Sequence, residues 1–159
     1  MIDVAYIQTP LGIASITGNE KGVQAVSILS DQKQKPSDNV PQSLSAVVTQ
    51  LKEYFNGQRT DFDLILNPQG TEFQQKVWQE LAKIPFGSTV TYLDMAKRLG
   101  DPKCIRAAAT ANGKNPLWII IPCHRVIGSD GSLTGYAGGL WRKKWLLAHE
   151  SPVKQQSLF

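Results

Sequence analysis

Apolar and polar residues alternate through the first thirty positions. "VAYIQT" and "GIASIT" each put every second residue on one face, the pattern of a half-buried strand, and "PLG" between them is a turn signal. "VQAVSIL" repeats the alternation after the turn "GNEKG", so the opening reads as a small antiparallel meander. Ser30–Ser43 then breaks the pattern. It is polar, carries proline and lacks aromatics, and it reads as a mobile loop. From Leu44 the period changes: Leu44, Val47, Val48, Leu51, Tyr54 and Phe55 recur at helical spacing and stop at Asn56-Gly57. "FDLIL" predicts a short strand, and the turn "NPQG" (Asn67–Gly70) divides the chain into lobes 1–70 and 71–159.

The second lobe reads as punctuated helices. Thr71 and Gln74 make a capping-box pattern ahead of "FQQKVWQELAKI", whose apolar face is Phe73, Val77, Trp78, Leu81 and Ile84. Thr91 is placed to cap "YLDMAKRL", which stops at Gly100. Asp101 caps the next helix, with Pro102 at its first position. That helix, "PKCIRAAATANG", is rich in alanine and carries Arg106. Two short helices joined by "LGDP" have the outline of a helix-turn-helix, although a plain packed hairpin has the same outline. The last helix, "GGLWRKKWLLAHE", carries Leu140, Trp145, Leu146 and Leu147 as its apolar residues and is expected to expose Arg142, Lys143 and Lys144. Strands first and helices later make an α+β fold, with a small antiparallel sheet plus helix in the N-terminal lobe and a mainly helical C-terminal lobe.

Composition narrows the class. The 159 residues are 42% hydrophobic and 19% charged, as in ordinary globular proteins, and no apolar run approaches a membrane-spanning length. The N-terminus lacks the pattern of a secretory signal, and two cysteines do not make a disulfide framework, so a cytoplasmic, reducing location is expected. The net charge of +4 is uneven: residues 1–70 carry −2 and residues 71–159 carry +6. A positive second lobe fits a polyanionic partner, and a solvated basic surface fits the same numbers.

The chemistry concentrates in "IPCHRVIGSDG" (Ile121–Gly131). A thiol becomes a good nucleophile as the thiolate, which needs a base, a cation or a helix N-terminus nearby. His124 adjoins Cys123, but neighbours in an extended segment point to opposite faces, so direct contact is not implied and a water would have to bridge them. Arg125 adds positive charge, and Glu150 would orient His124 if the last helix folds back over this loop. A lone cysteine after an apolar run also suits a core position. On residue chemistry alone both readings stand. Cys104 has no nearby base and reads as structural.

"PCHRVIGSDGSLTGYAGGLWRKKWLLAHE" resembles the active-site signature of the O6-alkylguanine-DNA alkyltransferases, proteins of direct-reversal DNA repair. "PFGSTVTY", "RAAATANGKNP" and "IPCHRV" match that family in order and spacing. The likeness runs from Thr71 to Glu150 and is looser before it. It implies a monomer that takes no cofactor and binds double-stranded DNA carrying O6-alkylguanine (and, by extension, O4-alkylthymine). The helix-turn-helix would approach from the minor groove and the damaged base would be flipped into a pocket. Cys123 would accept the alkyl group once and irreversibly. His124, through a water, would take its proton, and Glu150 would orient His124. Tyr92 would crowd the phosphate and protonate the leaving purine. Arg106 would fill the gap in the duplex, where its planar guanidinium can stack and donate. Ser129 would touch the DNA backbone. Asn115 would hold the active-site turn, and Tyr136, within the glycine-rich loop Gly135–Gly139, would cover the base.

Two departures matter. Ala137 stands where many members carry serine, which puts one hydrogen bond to the base oxygen in doubt. The first lobe has no cysteine or histidine, so the zinc of some relatives is not expected, nor is any other metal. Two other classes compete with the transferase: a non-catalytic helix-turn-helix DNA-binding module, and a cysteine hydrolase that would not need Arg106 or the basic lobe.

Overall fold

The computed structural model describes residues 1–133, 136 and 138–151, and Gly135 and Ala137 therefore lie outside the described residues. The chain forms two units, residues 1–69 with 116–120, and residues 70–115 with the described residues from 121 onward.

The first unit is a three-stranded antiparallel meander, β1 (Asp3–Thr9), β2 (Gly12–Asn19) and β3 (Gly22–Ile28), in that order. The register runs from Asp3↔Gly18 to Thr9↔Gly12 and from Ala14↔Ile28 to Asn19↔Gly22, with an irregularity at Thr17/Gly18. Alternation puts Ala5, Ile7, Ala14, Ile16 and Val26 in the core, where helix α1 (Ser45–Phe55) contributes Val47, Val48, Leu51 and Tyr54. The free edge of β3 is not left open. Val23 N–H donates to Ile65 O (2.9 Å) and Val26 N–H to Pro116 O (2.9 Å), while Val23 O and Val26 O accept from Asn67 and Trp118. "FDLIL" is thus a single bridge at Leu66 rather than a strand. The polar loop after β3 is irregular up to a 3₁₀ turn at Gln42–Leu44, and it is tied down. Gln32 accepts from Ile13 N–H (2.7 Å) and donates to Leu29 O (2.5 Å), and Ser37 exchanges two bonds with the Tyr6 backbone (2.9 Å each).

Among the described residues the second unit holds four α-helices: α2 (Glu72–Leu81), α3 (Tyr92–Arg98), α4 (Ile105–Gly113) and α5 (Leu140–Glu150). The N-caps predicted at Thr71 and Thr91 form. Thr71 and Gln74 complete a capping box on α2, and Thr91 and Asp94 complete one on α3. α3 ends in a Schellman motif, with Gly100 N–H on Lys97 O (3.0 Å) and Asp101 N–H on Ala96 O (3.2 Å). The motif needs a left-handed residue, and Gly100 supplies it at φ +96°. A single 3₁₀ turn (Pro102–Cys104), capped by Asp101, then leads into α4. α2 meets α4 through Trp78, whose indole N–H donates to Ala111 O (2.9 Å) in the last turn of α4, a carbonyl that also accepts from Lys114 N–H (3.1 Å). A two-residue parallel pair, β4 (Val90–Thr91) with β5 (Val126–Ile127), joins the start of α3 to the segment after Cys123-His124-Arg125.

Candidate active site

The site lies within the second unit and begins with a tight turn. Pro122 (φ −81°, ψ 66°) is the centre of an inverse γ-turn that brings Cys123 N–H to Ile121 O at 2.8 Å. The Asn115 amide donates to the same carbonyl at 2.7 Å, so one oxygen anchors both the turn and the residue expected to hold it. Cys123–Arg125 then form a 3₁₀ turn, not the extended segment expected from sequence. Successive side chains on such a turn diverge by about 120°. Cys123 and His124 therefore point apart, and His124 swings toward α5.

There it meets Glu150. His124 Nε2 is 2.7 Å from Glu150 Oε2, and both side chains are buried. Arg125 grips the same carboxylate from the other side, Nε to Oε1 at 2.7 Å and Nη2 to Oε2 at 3.0 Å, and its Nη1 donates to Ile84 O at 2.6 Å. Its guanidinium also lies 5.8 Å from the Phe86 ring centre. Burial alone would raise the Glu150 pKa, but hydrogen bonds from His124 and Arg125, with their charges, outweigh it and bring it to about 2. An ionised Glu150 is an acceptor only, so His124 Nε2 carries the proton and Nδ1 keeps its lone pair. Nδ1 is buried and has no protein partner among the described residues. Burial pushes the His124 pKa below its ordinary value, against the pull of Glu150. The result is a neutral imidazole held in one tautomer, as a general base requires.

Cys123 is 8% exposed. Burial raises its thiol pKa, while a hydrogen bond from Asn115, the charge of Lys143 and its own backbone N–H pull it back. Lys143 corrects the sequence reading. It was expected on the exposed face of α5 and instead is fully buried, its Nζ 5.8 Å from the Tyr92 ring centre and 6.0 Å from that of Tyr136. The buried stripe of α5 is Lys143, Leu146 and Glu150, whereas Leu140 is 49% exposed. Gly139 (φ +92°) starts this helix, and its carbonyl accepts from Arg142 and Lys143 N–H.

Cys123, His124, Glu150, Asn115, Tyr92 and Tyr136 thus belong to one unit, tied together by the turn, α5 and Lys143. Arg106 is exposed in the first turn of α4 beside exposed Ala107, and Lys97, Arg98, Lys103 and Lys114 are exposed on or beside the two helices. Ser129 is exposed in the turn after β5. Ala137 cannot be placed, being outside the described residues. Sequence reasoning missed two contributors: Lys143, and Arg125 as the second clamp on Glu150. Among the described residues no group of three or more His, Cys, Asp or Glu is arranged to hold a metal ion.

Known proteins match this arrangement over nearly the whole chain. The model of the 6-O-methylguanine DNA methyltransferase DNA-binding domain matches residues 72–152, and that of the ribonuclease-like domain of the same proteins matches residues 2–68. The chain belongs to the 6-O-methylguanine DNA methyltransferase family. A methylated-DNA–protein-cysteine methyltransferase of Methanosarcina barkeri is 46% identical over 148 residues, covering 91% of this chain and 94% of the relative. One from Mycolicibacterium paratuberculosis is 42% identical over 162 residues, covering 99% and 98%. Among solved structures, the O6-methylguanine methyltransferase of Mycobacterium tuberculosis superposes with a TM-score of 0.84 at 38% identity over both full chains. A structure of the Mycobacterium tuberculosis protein in complex with DNA gives 0.83 at 40% identity, covering 96% of this chain and 95% of that one. The α+β fold expected for the methyltransferase family is the fold found here.

Proposed function

We propose that this methyltransferase repairs DNA directly, moving the alkyl group from O6 of guanine in duplex DNA to Cys123, once per molecule. The carrying observation is the buried Cys123 turn, anchored by Asn115 and adjoining a neutral His124 that Glu150 holds in one tautomer. The thiol proton passes through a water to His124 Nδ1. The sulfur attacks the alkyl carbon, the S–C bond forms, the C–O6 bond breaks, and guanine leaves with a proton from Tyr92. The thioether product is not part of the reversible cysteine oxidation ladder. Arg106, on the exposed first turn of α4, enters the duplex in place of the flipped nucleotide, and Tyr136 covers the extruded base. Ser129, in an exposed turn, contacts the DNA backbone. The protein acts as a monomer in the cytoplasm, where a reducing environment suits two unpaired cysteines.

Intact-protein mass spectrometry tests this reading. Incubation with a duplex containing O6-methylguanine adds about 14 Da, one methyl replacing the thiol proton, and the modification maps to Cys123. A Cys123→Ser protein that still clears the methyl group refutes it. Salt-dependent binding with no lesion preference and no mass change supports a non-catalytic DNA-binding module instead.

A further inference from the structure

α5 begins without a capping side chain, because its N-cap is Gly139, at φ +92°. The residue before it, Gly138, is buried, and Gly139 N–H closes a turn on Tyr136 O at 2.9 Å. Glycines lose more freedom on ordering than other residues, so this junction needs contacts from elsewhere to hold it. Arg142 supplies one. Its Nη1 donates to Gly138 O at 2.7 Å, and its guanidinium lies 4.4 Å from the Trp141 ring centre. Consecutive side chains on a helix diverge by about 100° and do not ordinarily face each other. Arg142 therefore folds back toward the loop, and the indole of Trp141, although 57% exposed, is laid against it. The packing is close along the whole line. A Cβ on Gly138 would stand 3.1 Å from Tyr136 Cε2 and 3.6 Å from Arg142 Cδ, and one on Gly139 would stand 3.4 Å from Trp141 Cδ1. A hydrogen bond from a charged donor is the stronger kind, and a stacked indole keeps water off one face of the guanidinium that makes it.

We propose that Arg142 is a positioning residue for the base pocket: with Trp141 stacked on its guanidinium it clamps the Gly138 carbonyl, and Gly138 in turn seats the ring of Tyr136. The proposal rests on the transfer reading above, in which Tyr136 covers the extruded base, and deepens it by naming what holds that cover in place. The reacting groups are held by other contacts. Asn115 anchors the Cys123 turn through Ile121 O, and Arg125 grips Glu150, which fixes His124. Loss of the clamp therefore loosens the wall against which the base is captured and leaves proton transfer and attack at the sulfur as they were. Capture weakens, and the rate of the captured complex does not.

The test compares wild type with Arg142→Ala, Arg142→Lys, Trp141→Ala, the double variant Trp141→Ala/Arg142→Ala and the exposed control Lys144→Ala. The first readout is single-turnover alkylation of Cys123 by the free base O6-benzylguanine, which needs no base flipping, followed by intact-protein mass at rising base concentration. In Arg142→Ala the half-saturating concentration rises about tenfold, the loss of one charge-assisted hydrogen bond, while the limiting rate stays within about twofold of wild type. Arg142→Lys recovers part of this, since a lysine can reach the carbonyl but has no plane to stack on the indole. Trp141→Ala gives a smaller rise, and the double variant is no worse than Arg142→Ala, because the indole acts through the guanidinium. Lys144→Ala matches wild type. The second readout is amide hydrogen exchange at Gly139 by NMR, which speeds up in Arg142→Ala and not in Lys144→Ala. If Arg142→Ala does not fold, Arg142→Lys and Trp141→Ala carry both comparisons. A fall in limiting rate at unchanged half-saturation, additive effects of the two substitutions, or unchanged exchange at Gly139 overturns the proposal. If wild type takes no alkyl group from the free base or from the lesion duplex, the transfer reading fails, and the exchange at Gly139 decides on the clamp by itself.

Discussion

Replacing Glu150 by glutamine removes one charge from a buried cluster of three groups, and the structure sets the size of the effect. Glu150 is 2% exposed and its pKa is about 2, against an ordinary value of 4.5. At ~1.4 kcal/mol per pH unit this depression represents about 3 kcal/mol of stability. A lowered carboxylate pKa stabilises fully above the unfolded value and is lost as pH falls through the folded one. About 2 kcal/mol of the 3 is therefore gone by pH 3. His124 acts with the same sign from a higher pH, because its lowered pKa means that protonation below about 6.5 favours the unfolded chain. Glu150→Gln keeps an acceptor near His124 but leaves the Arg125 guanidinium buried without its carboxylate, a loss of about 3–5 kcal/mol at neutral pH. Urea unfolding followed by tryptophan fluorescence at pH 7, 5 and 3 measures both quantities. The variant is less stable at pH 7, and its stability falls by about 2 kcal/mol less than that of wild type between pH 5 and 3. Parallel stability curves across that range would show that the Arg125–Glu150–His124 cluster does not control acid sensitivity.

Further outcomes follow from single contacts. Asn115→Ala removes one of the two donors on Ile121 O. It costs about 1 kcal/mol of stability, and by loosening the Cys123 turn it slows single-turnover transfer about ten- to a hundredfold; an unchanged rate by quenched-flow mass analysis counts against the anchoring role. Arg106→Ala, at an exposed position, leaves the Tm unchanged but slows transfer from duplex DNA by about tenfold or more, since flipping a base costs a few kcal/mol. The same variant reacts normally with the free base O6-methylguanine, and a slowed free-base reaction would place Arg106 in the chemistry instead.

The elements that obey a period or a cap were legible in sequence. The three-strand meander, the helical spacing of α1 and the capping residues Thr71 and Thr91 all follow from local rules. The turn at Cys123 was harder. Read as an extended continuation of the apolar run, it separates Cys123 from His124 in the wrong way; the γ-turn at Pro122 and the 3₁₀ turn after it depend on the Asn115 side chain and on pairing with β4, neither of which an apolar–polar period announces. The same apolar run hides Ile119, at φ 72° the one non-glycine residue with positive φ among those described. Trp118 O accepts from Ile120 N–H across it at 2.9 Å, a strained γ-turn that costs about 1–3 kcal/mol. Nothing in the isoleucine side chain announces this. α5 misled for a different reason. Its hydrophobic residues do not mark its buried face, because two of the three buried positions are charged. Pattern reading assumes that burial follows apolarity, and an active-site helix breaks that assumption where charge is needed.

Lys143 and Glu150 stand seven residues apart on one helix. At 1.5 Å per residue and 3.6 residues per turn, they project from nearly the same line, about 10 Å apart. α5 is therefore a measuring rod, with a cation set between Tyr92 and Tyr136 at one end and an anion against the imidazole at the other. Inserting one residue between them would rotate Glu150 by about 100° and advance it by about 1.5 Å, breaking its grip on His124 and Arg125 while leaving the helix itself sound. The interval 143–150 should tolerate exchange of its outward-facing residues freely and changes of length not at all.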